Sequence, residues 1–263
     1  MSLDESFRYR ADSGIGRLAR AINAGDAAGA LAVLRGDGLS SDVPNGNALS
    51  AERDATLFEP GSGERDAELE RLATRGYAPF IECPDPKQKL ALLGGYRVLC
   101  AHRHGPRGVE PLNRDVEEWL TRAGLLDPVS TFYENRPIII TQNDYTLSLF
   151  NGDVGVVVRD EHGRLRVCFE GTGGLRFLAP GRLPPHETVF ATTVHKSQGS
   201  EFDAVSIVLP STASQLVGRE LLYTAVTRAR QRVDLFAPAD VLRSAIARTV
   251  QRPSGLRDAL WRR

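Results

Sequence analysis

Two clusters in this sequence carry residue types suited to phosphate and sugar chemistry. The first lies in ATTVHKSQGSEFDAVSIVL, residues 191–209. There an apolar, β-branched run stops at His195 and Lys196, turns at Gly199, meets Glu201 and becomes apolar again. His195 and Lys196 can face phosphate, Gly199 lets backbone approach a ligand closely, and Glu201 can accept hydrogen bonds from a sugar hydroxyl. The second cluster is LLYTAVTRAR, residues 221–230, where Arg228 and Arg230 sit beside an apolar helical face of Leu222, Ala225, Val226 and Ala229. A guanidinium is planar, forked and permanently charged, so it suits the stabilisation of phosphoryl charge. Each cluster alone has a plainer reading: a polar surface loop, and a solvated helix end.

The elements that must position these clusters alternate. DSGIGRLARAINAGD predicts a helix with Ile15, Leu18, Ala19 and Ile22 on one face, Ser13 as N-cap and Gly25 just past its end. ERDAELERLATRG predicts a helix that stops at Gly76, and LNRDVEEWLTRAG one that ends at Gly124. GYRVLCAHR and RPIIITQND read as buried strands. TVFATTV, DAVSIVLP and QRVDLFA predict further strands, with RELLYTAVTRAR and PADVLRSAIARTV as helices between and after them. Strands alternating with helices argue for a mostly parallel sheet with helices on both sides. Ligands of such a sheet are expected beyond the carboxyl ends of its strands. The segment around 150–186 differs in texture. Asn-Gly, His-Gly and Gly-Gly turns separate short β-rich runs, so a hairpin-rich insert, a small barrel, is expected there.

Composition bounds the function classes. The 263 residues allow one large domain or two small ones, and net charge is zero. The end from Ser214 to Arg263 is nonetheless basic, with ten arginines against four acids. Such an end can meet phosphate or simply be a solvated face. No apolar run approaches the length of a membrane span, so a membrane role is not expected and a cytoplasmic one is. Cys83, Cys100 and Cys168 lack metal-ligand spacing and read as reduced thiols. His102 and His104 have no third ligand at plausible spacing, so no metal site is expected. The opening Met-Ser-Leu looks like an added leader, and the chain is expected to be a piece of a longer protein.

Taken together, TTVHKSQGSEFDAV and RELLYTAVTRAR resemble motifs V and VI of superfamily 1 helicases, most closely the RecD type, the alpha subunit of exodeoxyribonuclease V. SFRYRADSGIGRLARAIN resembles the family's motif IV region, with Arg8 at its nucleotide-facing arginine. GVEPLN and RPIIITQNDYTLSLFNGDVGVVV resemble the segments leading into a small inserted barrel, and QRPSGL the family's closing stretch. The resemblance covers almost the whole chain, in order; residues 36–63 carry none.

The resemblance implies an α/β fold of the P-loop-NTPase (RecA-like) kind. Residues 1–149 and 187–263 would form the second motor domain (2A), and 150–186 an inserted SH3-like barrel (2B). It implies ATP as substrate, with Arg8 and Arg228 acting on the γ-phosphate, Gln198 and the Gly199 backbone near the phosphates, and Glu201 near the ribose. For single-stranded DNA it implies Thr193 and His195, with Lys196 and Asn113 as weaker candidates. Asn113 also reads as a helix N-cap, and Asn143 and Asp144 read equally as turn residues. The sequence contains no GxxxxGK[ST] loop and no strand ending in paired acids. Mg²⁺ ligands and the phosphate cradle are therefore expected in a first motor domain outside this chain, and the chain alone is expected to hydrolyse ATP negligibly. Implied partners are single-stranded DNA, duplex DNA being unwound, and the two other subunits of a RecBCD-type complex acting in recombination and break repair. No nuclease centre is present, so nuclease activity would belong to a partner. Translocation would run 5′ to 3′. Two alternatives stand beside this one: a non-catalytic partner-binding module, and a stand-alone RecD-like or relaxase-type helicase.

Overall fold

A computed structural model describes residues 13–37, 53–59, 64–171 and 173–249. Arg8 and the QRPSGL stretch lie outside the described residues. The helices are α1 (Gly14–Ala24), α2 (Ala27–Arg35), α3 (Glu64–Glu82), α4 (Pro86–Leu93), α5 (Val109–Arg122), α6 (Arg219–Val226) and α7 (Ala239–Ala247). The strands are β1 (Ala55–Phe58), β2 (Tyr96–Cys100), β3 (Pro137–Ile140), β4 (Val154–Arg159), β5 (Leu165–Gly171), β6 (Gly174–Leu178), β7 (His186–Thr188), β8 (Ala191–Thr193), β9 (Phe202–Val208) and β10 (Ala229–Phe236).

One sheet is parallel throughout, in the order β1-β10-β9-β2-β8. Its side chains alternate between two cores, as the two-residue period of a strand requires. Leu99, Val205, Ile207, Val233 and Leu235 pack with α1, α2, α6 and α7. Val98, Cys100, Val208 and Phe236 pack on the other face with α3 and α5. The layers follow from nearly continuous apolar strands, which must be covered twice. At the first helix the expected caps are present: the Ser13 hydroxyl accepts from Gly16 N at 3.0 Å, and Gly25 closes the helix at φ 76°.

The second sheet is antiparallel, in the order β6-β5-β4-β3-β7. Ile138, Ile140, Val157, Val167 and Phe169 form its own small core. Val156, Val158 and Cys168 face the main body. The sheet starts at Pro137 and ends at Thr188, so it is wider than the 150–186 boundaries drawn from turn composition. Among the described residues no pairing joins its edge strands β6 and β7, and the ladder is open rather than closed into a barrel.

Three further elements differ from the sequence reading. TVFATTV is two strands: β7 pairs antiparallel with β3, and β8 pairs parallel with β2. The chain changes sheet at Val189 and Phe190, where the Tyr77 hydroxyl donates to the Phe190 carbonyl. Gly76 does not end a helix, because α3 continues through it to Glu82. A Cβ there would lie 2.4 Å from the Tyr96 ring, so this glycine serves the close approach of α3 to β2. The helix containing RELLYTAV stops at Val226, and β10 starts at Ala229. Arg228 therefore occupies the corner between them, and Arg230 lies on a strand.

Candidate nucleic-acid and nucleotide interfaces

The segment from Thr193 to Glu201 connects two parallel strands and must therefore travel the height of the sheet. Register fixes how far. Thr193 pairs with Cys100, which pairs with Val208, the last residue of β9. Glu201 precedes Phe202, the first residue of β9. The two ends of the crossover are thus separated by about the length of β9, about 20 Å for seven residues. The first sequence cluster therefore spans both ends of the sheet, and Arg228 of the second meets it at the amino end.

At the carboxyl end a cleft of about 590 Å³ opens between the crossover and α6, with His102, Arg103, Thr193, His195, Gln198 and Glu220 in its wall. His195, Lys196 and Gln198 are exposed. The crossover begins as a tight turn. The Thr193 carbonyl accepts from Ser197 N at 3.1 Å, and its hydroxyl from Lys196 N at 3.2 Å. Ser197 is buried, and its hydroxyl donates to the Val194 carbonyl at 2.8 Å. Gln198, expected near nucleotide, lines this cleft instead.

A charged chain meets the cleft at Arg103. Arg103 donates through both terminal nitrogens to Glu187 on β7, at 3.1 and 2.6 Å. Lys196 Nζ stands 3.6 Å from the same carboxylate. Arg103 Nε lies 3.4 Å from Glu110, which also faces His104 Nδ1 at 3.3 Å. The hydrogen bonds from Arg103 hold the Glu187 carboxyl below its ordinary value, and Glu187 in turn pushes the Arg103 guanidinium up.

Asn113 was a candidate DNA contact or N-cap, and the structure places it elsewhere. Helix α5 begins at Val109 after Gly108, so Asn113 lies one turn inside it and is buried. Its amide nitrogen donates to Val109 O and Ala191 O, both at 3.0 Å, and its oxygen accepts from Ala191 N at 2.9 Å. Satisfying both main-chain groups of Ala191, the side chain replaces a neighbouring strand at the edge of β8. It positions the strand that carries Thr193.

At the amino end the geometry is tighter. Gly199 takes φ 89°, a left-handed conformation that favours glycine, and a Cβ there would meet nothing within 4 Å. Arg228 is 8% exposed. Its Nε donates to Thr224 O at 3.2 Å and its Nη1 to Ser200 O at 3.1 Å, while its own carbonyl accepts from Phe202 N at 2.9 Å. Arg228, implied by the resemblance to act on a γ-phosphate, is folded onto the end of the crossover. Glu201 accepts from Arg230 Nε and Nη2 at 3.2 and 3.1 Å. A second cavity of about 430 Å³ lies at the amino end on the α3 side, with Tyr96, Arg232 and Asp234 in its wall. Burial raises the Asp234 carboxyl even though Arg232 is hydrogen-bonded to it.

Thr193, His195 and Gln198 thus share one region, Ser200 and Glu201 meet Arg228 and Arg230 in another, and Gly199 lies between the two. Sequence reasoning missed Arg103 and Glu187, which lie 84 residues apart in the chain. No local pattern joins them. Among the described residues no group of three His, Cys, Asp or Glu side chains could hold a metal. The three cysteines are free, and no described helix is long and apolar enough to cross a membrane.

Residues 188–235, which include both clusters, match the UvrD-like helicase C-terminal domain family. The RecBCD enzyme subunit RecD of Mycolicibacterium smegmatis is 40% identical over 252 residues, covering 96% of this chain and 42% of that protein. The chain carries the C-terminal region of a RecD-type superfamily 1 helicase. The RecD subunit of Haemophilus influenzae is 33% identical, over 97% of this chain and 40% of its own length. The ATP-dependent RecD2 DNA helicase of Deinococcus radiodurans is 35% identical over 59% of this chain and 22% of its own. The chain spans about two fifths of the length of the RecD relatives it matches.

Proposed function

We propose that this chain is the second motor domain of an ATP-dependent DNA helicase, the alpha subunit of a RecBCD-type exodeoxyribonuclease V, moving 5′ to 3′ on single-stranded DNA in the cytoplasm. The antiparallel sheet is its inserted 2B unit. Single-stranded DNA meets the carboxyl-end cleft through Thr193, His195 and Lys196. ATP meets the amino-end corner of Ser200, Glu201 and Arg228, and Arg8, which lies outside the described residues, acts with Arg228 on the γ-phosphate. The single observation carrying this reading is the crossover itself. One short segment holds the cleft residues at one end of the sheet and the Arg228 corner at the other, so a displacement at one end is passed to the other. Opening and closing of two lobes around ATP then moves the DNA-facing end.

The amino-end corner fits a phosphoryl group in two respects. Space is open at Gly199, and the carbonyl of the next residue, Ser200, holds a permanently charged guanidinium. Arg228 would have to exchange a carbonyl partner for the phosphate, and its five donors make that exchange local. Among the described residues no group of three candidate metal ligands gathers; the Mg²⁺ ligands would come mainly from a first motor domain.

One observation favours a second reading of Arg228. Its burial and its bonds to Thr224 and Ser200 suit a brace as well as a finger. Arg228→Ala in the full-length subunit separates the two. As a finger, the substitution leaves nucleotide affinity nearly unchanged and lowers DNA-stimulated hydrolysis of the folded protein by about 10³ or more, well beyond any loss of Tm from the bonds to Thr224 and Ser200. As a brace, it lowers Tm and affects hydrolysis only in proportion to the protein unfolded.

A further inference from the structure

The charged chain beside the cleft has a feature that a structural brace does not need. Two cations, Arg103 and Lys196, share one carboxylate, Glu187. Their side chains are 41%, 36% and 36% exposed, respectively. Ion pairs this open to solvent contribute little to stability, typically below about 1 kcal/mol. They are correspondingly cheap to exchange for another anion. The geometry also suits exchange. Arg103 presents its terminal fork to Glu187 and its Nε to Glu110. Removal of Glu187 leaves Glu110 to keep the guanidinium oriented while the fork is released. A phosphate presents the same paired oxygens to that fork as a carboxylate does. Lys196 is the neighbour of His195 on the crossover, and Arg103 lines the same cleft as His195 and Thr193.

We propose that Arg103 and Lys196 form a phosphate-binding pair beside the cleft, with Glu187 as the built-in anion that a nucleic-acid backbone phosphate displaces. The proposal rests on the DNA reading of the cleft and adds to it a residue, Arg103, and a competitor, Glu187. Glu187 sits on β7, in the antiparallel sheet, whereas Arg103 and Lys196 follow strands β2 and β8 of the parallel sheet. Phosphate binding therefore releases a contact between the two sheets.

The test is binding of a short fluorescein-labelled oligo(dT) to this chain, followed by anisotropy across a salt series. Glu187→Gln is expected to tighten binding about threefold to tenfold at low salt, since it removes a competing charge next to the site. Arg103→Ala is expected to weaken binding and to flatten the plot of log affinity against log salt by about 0.7, the value for one phosphate on a single strand. Lys196→Ala should do the same, and Arg103→Lys should restore the slope but not the full affinity. Inorganic phosphate should compete with oligo(dT) in the wild type but not in the Arg103→Ala, Lys196→Ala double variant, whereas nucleotide binding should be equal in both. Weaker or unchanged binding by Glu187→Gln, with wild-type binding intact, overturns the proposal and leaves Glu187 a brace. If Glu187→Gln fails to fold, unchanged salt slopes in the two cation variants overturn it equally. A wild type that binds no oligo(dT) sinks the DNA reading itself.

Discussion

The two ends of one crossover are built differently. At the carboxyl end of the sheet the charges are exposed, shared and held by other side chains: Arg103, Lys196 and Glu187 around an open cleft. At the amino end Arg228 is buried and held by main-chain carbonyls of Ser200 and Thr224. Side-chain partners on the surface can be exchanged for a ligand's phosphates at small cost. Main-chain partners inside a corner fix a guanidinium in place. The difference fits the proposed division, in which the carboxyl end takes and releases successive phosphates and the amino end holds one charge ready. A short connection, turned at Ser197 and Gly199, joins the two ends, and the proposed function uses it to couple them.

The comparison can be broken at either end. The largest effect is expected from Arg228→Ala, with the loss of hydrolysis given above. Next is Asn113→Ala, which strips Ala191 of both partners at the edge of β8. It should cost about 2 kcal/mol of stability, measured by urea unfolding, because main-chain groups buried without partners are expensive. It should also weaken oligo(dT) binding, since β8 carries Thr193, while nucleotide affinity changes little. Asn113→Asp should be worse than alanine for stability, because a carboxylate would face the carbonyls of Val109 and Ala191. Gly199→Ala tests the connection itself. At φ 89° a side chain costs about 1–2 kcal/mol of strain, and the coupling between DNA and hydrolysis should fall more than either binding step. The smallest effect is expected from Arg230→Ala. Its ion pair with Glu201 has side chains 53% and 28% exposed, so the loss in stability should stay below about 1 kcal/mol. A loss of several kcal/mol there would mean that the amino end is held by surface charge after all.

Local signals carried much of this architecture. Ser13 and Gly25 bound α1 because capping chemistry acts within a few residues. The apolar strands and intervening helices gave a parallel sheet because each needs cover on both faces. Elsewhere the deciding contacts are distant in the chain. Gly76 looks like a helix stop in sequence; only the Tyr96 ring explains why it lies mid-helix. TVFATTV reads as one continuous strand, yet β3 pairs with its first residue, Thr188, and β2 with Ala191–Thr193. The run from Leu221 to Arg230 keeps a helical pattern past Val226, but Ala229 pairs with Phe202 and ends it. For the site, residue types were legible and their distribution was not. Nothing local says that His195 and Glu201 stand at opposite ends of a sheet, since that follows from the register of β8, β2 and β9. Arg103 and Glu187 were invisible for the same reason.

The central claim is that the two ends serve two ligands, and DNA-stimulated ATP hydrolysis by the full-length subunit, titrated with oligo(dT), tests it in one measurement. His195→Ala should raise the DNA concentration at half-stimulation, by about tenfold for the loss of one contact worth about 1.4 kcal/mol. Arg228→Ala should instead lower the plateau, by about 10³ or more, at an unchanged half-stimulation point. If both variants move the same parameter, the two ends do not divide the work and the account is wrong.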